Sequence, residues 1–132
     1  MTLDQLLPDL FPAGHTVSVN NKVILGEGQA ATGIVAILGT TDAAAVDHEI
    51  AFTLSRAVLD VVRFSPGRPI LFLVDTVGQA LSRGAELLCL NGSFAHLAKC
   101  VDFARRKGHN TISLVTSNAV SGVFLSFGLM AD

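Results

Sequence analysis

Two short stretches combine residue types and spacing suited to holding a developing negative charge. The first is Ser117-Asn118-Ala119-Val120-Ser121-Gly122-Val123. It lies between the strand-like run Thr111-Ile112-Ser113-Leu114-Val115-Thr116 and an apolar helical pattern opening with Val123-Phe124-Leu125. A helix that starts just after a glycine turn aims unpaired N–H groups, and the positive end of its dipole, at whatever lies ahead. Such a terminus suits an oxyanion or a phosphate. The second stretch is Asp75-Thr76-Val77-Gly78-Gln79, where the continuous apolar run Pro69-Ile70-Leu71-Phe72-Leu73-Val74 stops. Ligand sites in α/β folds gather beyond the carboxyl ends of buried strands, and one N–H from each loop would make a two-donor oxyanion hole. Each stretch also has a plain reading. Gly122 then serves only to pack a strand-to-helix corner, and Asp75 is a turn former or N-cap rather than a general base.

Other chemistries fit these residues less well. The Gly122 turn lacks the Gly-x-x-x-x-Gly-Lys-Ser/Thr pattern of a nucleotide-binding loop. Ser82 and Ser121 stand in no Gly-x-Ser-x-Gly elbow, which disfavours a serine hydrolase. Gly26-Glu27-Gly28-Gln29-Ala30-Ala31 fits a loose dinucleotide fingerprint, but it sits in strand-like sequence and opens no helix. His15, His48, His96 and His109 are scattered, and His48-Glu49 has no second histidine at the zincin spacing, so no metal site is expected. Cys89 and Cys100 are too few for a disulfide framework; in helical sequence they read as small buried apolar residues in a reducing compartment. With a net charge of -2, no basic block and neither Trp nor Tyr, the chain has no electrostatic footprint for nucleic acid.

The elements that must position the two stretches alternate. Leu3, Leu6, Leu7 and Leu10 recur at helical spacing behind a Thr2/Gln5 capping box, and Pro12-Ala13-Gly14 ends that helix. Strands are expected over 15–19 and 22–29, around Asn20-Asn21, and over 33–38. A helix is expected over 46–64, with Ile50, Leu54, Ala57, Val58 and Val61 as its apolar stripe and Arg56 and Asp60 on its outer side. Another is expected over 86–107, with Phe94, Leu97, Ala98, Val101 and Ala104 inward, His96 on the polar side and Asn91-Gly92-Ser93 as an interruption. The alternation is that of an α/β domain. Half of the 132 residues are apolar and 15% are charged, and the mean hydropathy is +0.54. No apolar run reaches the roughly 18 residues needed to cross a bilayer, and the N-terminus lacks signal-peptide features. The excess apolarity is expected to serve a protein–protein interface or a neighbouring segment absent from this chain.

A family resemblance follows from the order of several motifs. Leu10-Phe11-Pro12-Ala13-Gly14-His15 comes first, then Pro66-Gly67-Arg68-Pro69-Ile70-Leu71, Asp75-Thr76-x-Gly78-Gln79 and Ala95-His96-Leu97-Ala98-Lys99-Cys100. Ala104-Arg105-Arg106-x-Gly108-His109 and Ala119-Val120-Ser121-Gly122-x-Phe124-Leu125-x-x-Gly128-Leu129-Met130-Ala131-Asp132 complete the set. Together they resemble the gamma subunit of biotin-independent malonate decarboxylase, a carboxyltransferase-like branch of the crotonase superfamily.

The resemblance implies a crotonase-like α/β core of repeated β-β-α units, here one domain over 1–132 that is incomplete at its C-terminus. It implies a cytoplasmic heteromer with a homologous beta subunit and an acyl carrier subunit; the excess of apolar over charged residues adds the expectation that the chain alone self-associates. The activity implied is decarboxylation of a malonyl thioester to the acetyl thioester and carbon dioxide. The thioester rides on the carrier's phosphoribosyl-dephospho-CoA arm, and neither biotin nor a cofactor bound by this chain is required. Decarboxylation leaves an enolate, so the backbone N–H groups of Thr76, Val77, Gly78, Gly122 and Val123 are the expected oxyanion donors. Ser121, Gln79 and Asp75 would support the loops and the substrate. Val123 and Ser117 stand where the family commonly has glycine, and the Val123 side chain crowds the approach to its amide. Two other classes compete with this reading: a non-catalytic scaffold half of such a heteromer, and a phosphate-binding α/β module.

Overall fold

The computed structural model describes residues 2–79 and 90–119. Helix α1 (Leu3–Leu10) opens as its sequence suggests, with the Gln5 side chain accepting from the Thr2 N–H at 3.2 Å. Strands β1 (His15–Asn20), β2 (Val23–Ala30) and β3 (Gly33–Thr40) then form an antiparallel meander. Asn21 and Lys22 turn the first corner with φ of 50° and 62°, the paired left-handed residues of a type I′ hairpin.

After this meander the chain changes to parallel pairing. Short strand β4 (Ala44–Val46) leads into helix α2 (His48–Phe64), followed by β5 (Ile70–Gln79), helix α3 (Leu90–Arg106) and β6 (Thr111–Ala119). β5 lies at the centre of this half. β3 pairs with its residues 70–73, β4 with its residues 76–79, and β6 with 70–76. Since Thr76 pairs with both Ala44 and Ala119, β3 and β4 share one edge of β5 and β6 takes the other.

Helices pack against both faces of the sheet. On one face Phe72, Val74 and Ile70 pack with Leu54 and Val58 of α2 and with Leu97, Val101 and Ala104 of α3. On the other, Leu73, Ile24 and Ile37 meet Leu7 and Phe11 at the end of α1. Alternation along β5 therefore sends Phe72 and Val74 one way and Leu73 the other. Gly28 has a packing role here, because a Cβ on it would lie 2.6 Å from the Phe11 ring. That accounts for one glycine of the loose dinucleotide match.

Three boundaries differ from the sequence expectations. Val46 belongs to β4 rather than to the helix; α2 starts only after Asp47, whose carboxylate accepts from the Ile50 N–H at 2.9 Å as an N-cap. Asn91-Gly92-Ser93 does not interrupt α3, since Ser93 is buried and its hydroxyl meets Nδ1 of His48 on α2. This tertiary contact outweighs the weak local propensity. The expected helix start at 86–89 lies outside the described residues. β5 and β6 both run further than their apolar cores suggest, with consequences for the site.

Candidate functional site

Asp75 was expected to close a strand and begin a loop, yet β5 continues through Thr76, Val77, Gly78 and Gln79. The physical reason is β4, whose three residues supply a pairing edge just where β3 has turned away. The pairing there is irregular. Ala44 and Ala45 are adjacent on β4, but their partners Thr76 and Gly78 are two apart on β5. Val77 is thus the extra residue of a bulge, half exposed at 49% and outside the ladder register. The other edge slips as well. Val74 pairs with Val115, whereas Thr76 pairs with Ala119, so β6 carries its own insertion between them. Residues 74–78 are therefore irregular on both edges. Bulges of this kind re-aim backbone and side chains, and they concentrate next to active sites.

Three threonine hydroxyls hold this segment. Thr40 Oγ1 donates to the Asp75 carbonyl at 3.0 Å and lies 3.4 Å from the Asp75 N–H. Thr76 Oγ1 donates to the Ala44 carbonyl at 2.8 Å, and Thr116 Oγ1 donates to the Val74 carbonyl at 3.3 Å. Thr40 and Thr76 are fully buried. The Thr76 side chain is thereby committed to structure. None of these threonine partnerships has a motif behind it. The only sequence hint for Thr40 is its place at the end of an apolar strand beside Gly39.

The Asp75 side chain is buried and lines a pocket of about 320 Å³ on the α1 face. Thr116, Thr41, Asp42 and the first turn of α1 share its walls. Asp42 and Ala43 turn the chain between β3 and β4 with φ of 57° and 48°. The pocket thus adjoins the segment holding the expected donor amides. Gly78 and Gln79 pair with Ala45 and Val46. Ser117 is part of β6 and exposed, so the expected polar turn does not begin there. Ser121, Gly122 and Val123, the second half of the expected oxyanion hole, lie outside the described residues.

A second polar group sits apart, where α2 meets α3. His96 is exposed, with Nε2 3.6 Å from Cys100 Sγ and its ring 6.0 Å from that of Phe52. Burial pushes the Cys100 thiol up, opposed by a hydrogen bond from Ser55. A thiol raised in this way is protonated at neutral pH and a poor nucleophile. Among the described residues no cluster of His, Cys, Asp and Glu could hold a metal ion, and no helix is long and apolar enough to cross a membrane.

The family model for the malonate decarboxylase gamma subunit, MdcE, matches residues 40–132, from the end of β3 through both stretches singled out in the sequence. The chain belongs to this family. As a malonate decarboxylase gamma-subunit homologue it is 38% identical over 65 residues to the malonyl-S-ACP:biotin-protein carboxyltransferase MADD of Malonomonas rubra, covering 49% of this chain and 22% of that protein. The Pseudomonas malonate decarboxylase MdcD–MdcE hetero-dimer superposes with a TM-score of 0.77 at 25% identity, over 86% of this chain and 50% of its counterpart. The transcarboxylase 12S core superposes with a TM-score of 0.78 at 15% identity, over 94% of this chain and 24% of that one, a likeness of fold. The fold is accordingly that of the crotonase-like carboxyltransferases. The chain spans about half the length of the malonate decarboxylase chain it matches in that hetero-dimer.

Proposed function

We propose that this chain acts as the gamma subunit of a biotin-independent malonate decarboxylase in the cytoplasm. A homologous beta subunit completes the site, and an acyl carrier subunit presents the malonyl thioester on its phosphoribosyl-dephospho-CoA arm. The bond between C2 and the carboxylate carbon breaks, carbon dioxide leaves, and the electron pair passes onto the thioester oxygen as an enolate. C2 then takes up a proton to give the acetyl thioester. No base is needed to begin this sequence; the demand falls on donors for the enolate oxygen. The backbone of Thr76–Gly78 supplies donors from one side, and the Gly122–Val123 amides supply them from the other. Asp75 holds the β5 segment in shape, and Ser121 and Gln79 contact the thioester arm.

The observation supporting this reading most strongly is the doubly irregular end of β5, where Val77 stands outside the ladder while buried hydroxyls fix its neighbours. A segment that is rigid yet not fully ladder-bonded suits a preorganised donor site. The beta-subunit partnership is supported by large apolar side chains left exposed on the described surface, among them Phe64 at 70% and Ile112 at 60%. The chain alone is accordingly expected to self-associate at micromolar concentration in light scattering. The functional test is reconstitution with the beta and acyl carrier subunits, followed by release of carbon dioxide from the malonyl carrier. Turnover that requires this chain is expected. Full turnover without it would overturn the proposal, as would thioester binding with no turnover.

A further inference from the structure

A helix in the outer layer of an α/β domain needs one apolar stripe, and α2 has two. Ile50, Leu54, Val58 and Val61 face the core. On the opposite side, at about 100° per residue, runs a second line made by Phe52, Arg56, Leu59 and Arg63. Phe52 and Leu59 are 46% and 37% exposed. They stand one heptad apart, and so do the two arginines. The Phe52 ring is pinned edge-on against the His48 ring, with centroids 4.5 Å apart. Helix α3 runs parallel to α2 in a matching order. His48 meets Ser93, the Phe52 ring lies 6.0 Å from that of His96, and Ser55 hydrogen-bonds Cys100. One heptad beyond His96, α3 leaves Phe103 42% exposed. A groove of about 410 Å³ opens here, and its walls include Phe52, Leu59, Arg56, Arg63, Asp60 and His96.

We propose that this groove docks an amphipathic helix of a partner subunit, one with apolar side chains at heptad spacing and carboxylates beside them. Seven residues of helix advance about 10.5 Å, the step from Phe52 to Leu59 and from Arg56 to Arg63. A second helix repeats one face at this interval, so its apolar side chains fit beside those of α2 and α3. A β-strand presents same-face side chains about 6.7 Å apart and falls out of step with it. The charges set the sign of the partner. Among the described residues neither Arg56 nor Arg63 is in an ion pair, although Asp60 lies one turn from each. Arg63 instead lies over the Phe64 ring at 5.1 Å. Two guanidiniums against the Asp60 carboxylate leave the groove cationic, and guanidinium geometry suits carboxylates. The groove lies on the outer side of the helical layer, so the inference goes beyond the catalytic reading and does not depend on it.

The test uses the full chain and two synthetic helical peptides of about three heptads, with leucine at the core positions. One carries glutamate at the flanking positions and the other lysine, and fluorescence anisotropy reads their affinities. The glutamate peptide is expected to bind about tenfold tighter than the lysine peptide. The double variant Arg56→Glu, Arg63→Glu is expected to reverse that preference. Leu59→Ser is expected to weaken the glutamate peptide about fivefold, because it removes an apolar contact. All three positions are exposed, so chemical denaturation should match wild type. Should the double variant fail to fold, Arg56→Gln with Arg63→Gln is expected to abolish the preference instead. Absence of binding to the wild-type chain overturns the proposal, as does equal affinity for the two peptides. Binding that neither the arginine variants nor Leu59→Ser alters places the peptide elsewhere and overturns it too. Sedimentation supplies the remaining outcome: if the arginine variants turn a self-associated chain into a monomer, the occupant is a second copy and the partner helix is ruled out.

Discussion

From Ile70 to Leu73, β5 keeps an unbroken register with β3 on one edge and β6 on the other, and its side chains fill both cores. From Val74 to Gln79 the same strand changes partner on one edge, slips register on the other, and relies on threonine hydroxyls where the ladders fail. The first half is held by burial and regular backbone pairing, so it should respond to mutation through stability. The second half is held by a few directional bonds around a bulge, so it should respond through geometry. One strand thus anchors the sheet at its amino end and aims backbone groups at its carboxyl end, the usual division of labour in α/β folds.

The largest effect expected is at Gly39, which holds the regular half of β5 against β3. Its φ of +155° disfavours any side chain, and a Cβ there would overlap the Leu73 carbonyl. Gly39→Ala should cost on the order of 4 kcal/mol, comparable to the whole stability of a marginal domain. Loss of the cooperative transition in chemical denaturation is the check. Phe72→Ala comes next. Its side chain is fully buried between β5 and both helices, and truncation should cost about 3–5 kcal/mol. A cost below about 1 kcal/mol would place the core elsewhere.

The irregular half should behave differently. Thr76→Val removes the donor to the buried Ala44 carbonyl, at about 1–3 kcal/mol. Its effect on turnover in the reconstituted complex should exceed what that loss of folded protein explains. Measuring kcat per folded molecule separates the two contributions, and a purely proportional loss would erase the distinction between the halves. The smallest effect is expected far from β5, at Cys100. Burial raises its thiol above the unfolded value, so its contribution to stability is complete below the ordinary thiol range, about pH 8.5, and declines as pH rises through the raised folded value. Wild type should therefore lose slightly more stability than Cys100→Ala between neutral pH and pH 10, with turnover at neutral pH unaffected by the substitution. Equal pH profiles would argue against a buried thiol.

The contrast between the halves of β5 also explains what could be read from the chain beforehand. Ile70-Leu71-Phe72-Leu73-Val74 announces a buried strand by composition alone, and the stripes of α2 and α3 announce helices by period. The continuation through Thr76-Val77-Gly78 carries no such mark. Its residues have turn-like propensities, and the partner that keeps them extended is a three-residue strand too short to show a period. Val46 misleads for the same reason, since an apolar residue beside a helix reads as its first turn until Asp47 is seen to cap it. The donor segment was legible as a location because it follows an apolar run. Thr40 was not legible, because a bond between residues 35 positions apart leaves no local pattern.

The most direct test of the donor segment replaces one backbone N–H at a time with an ester oxygen at Thr76, Val77 and Gly78, leaving every side chain in place. The chain is assembled by semisynthesis, combined with the beta and acyl carrier subunits, and assayed for decarboxylation of the malonyl carrier. Loss of one oxyanion donor costs about 3 kcal/mol, or roughly a hundredfold in rate. At least one of the three esters is expected to lower kcat by that amount in a correctly assembled complex. Turnover within a few-fold of wild type for all three would contradict the assignment of the oxyanion donors to the carboxyl half of β5.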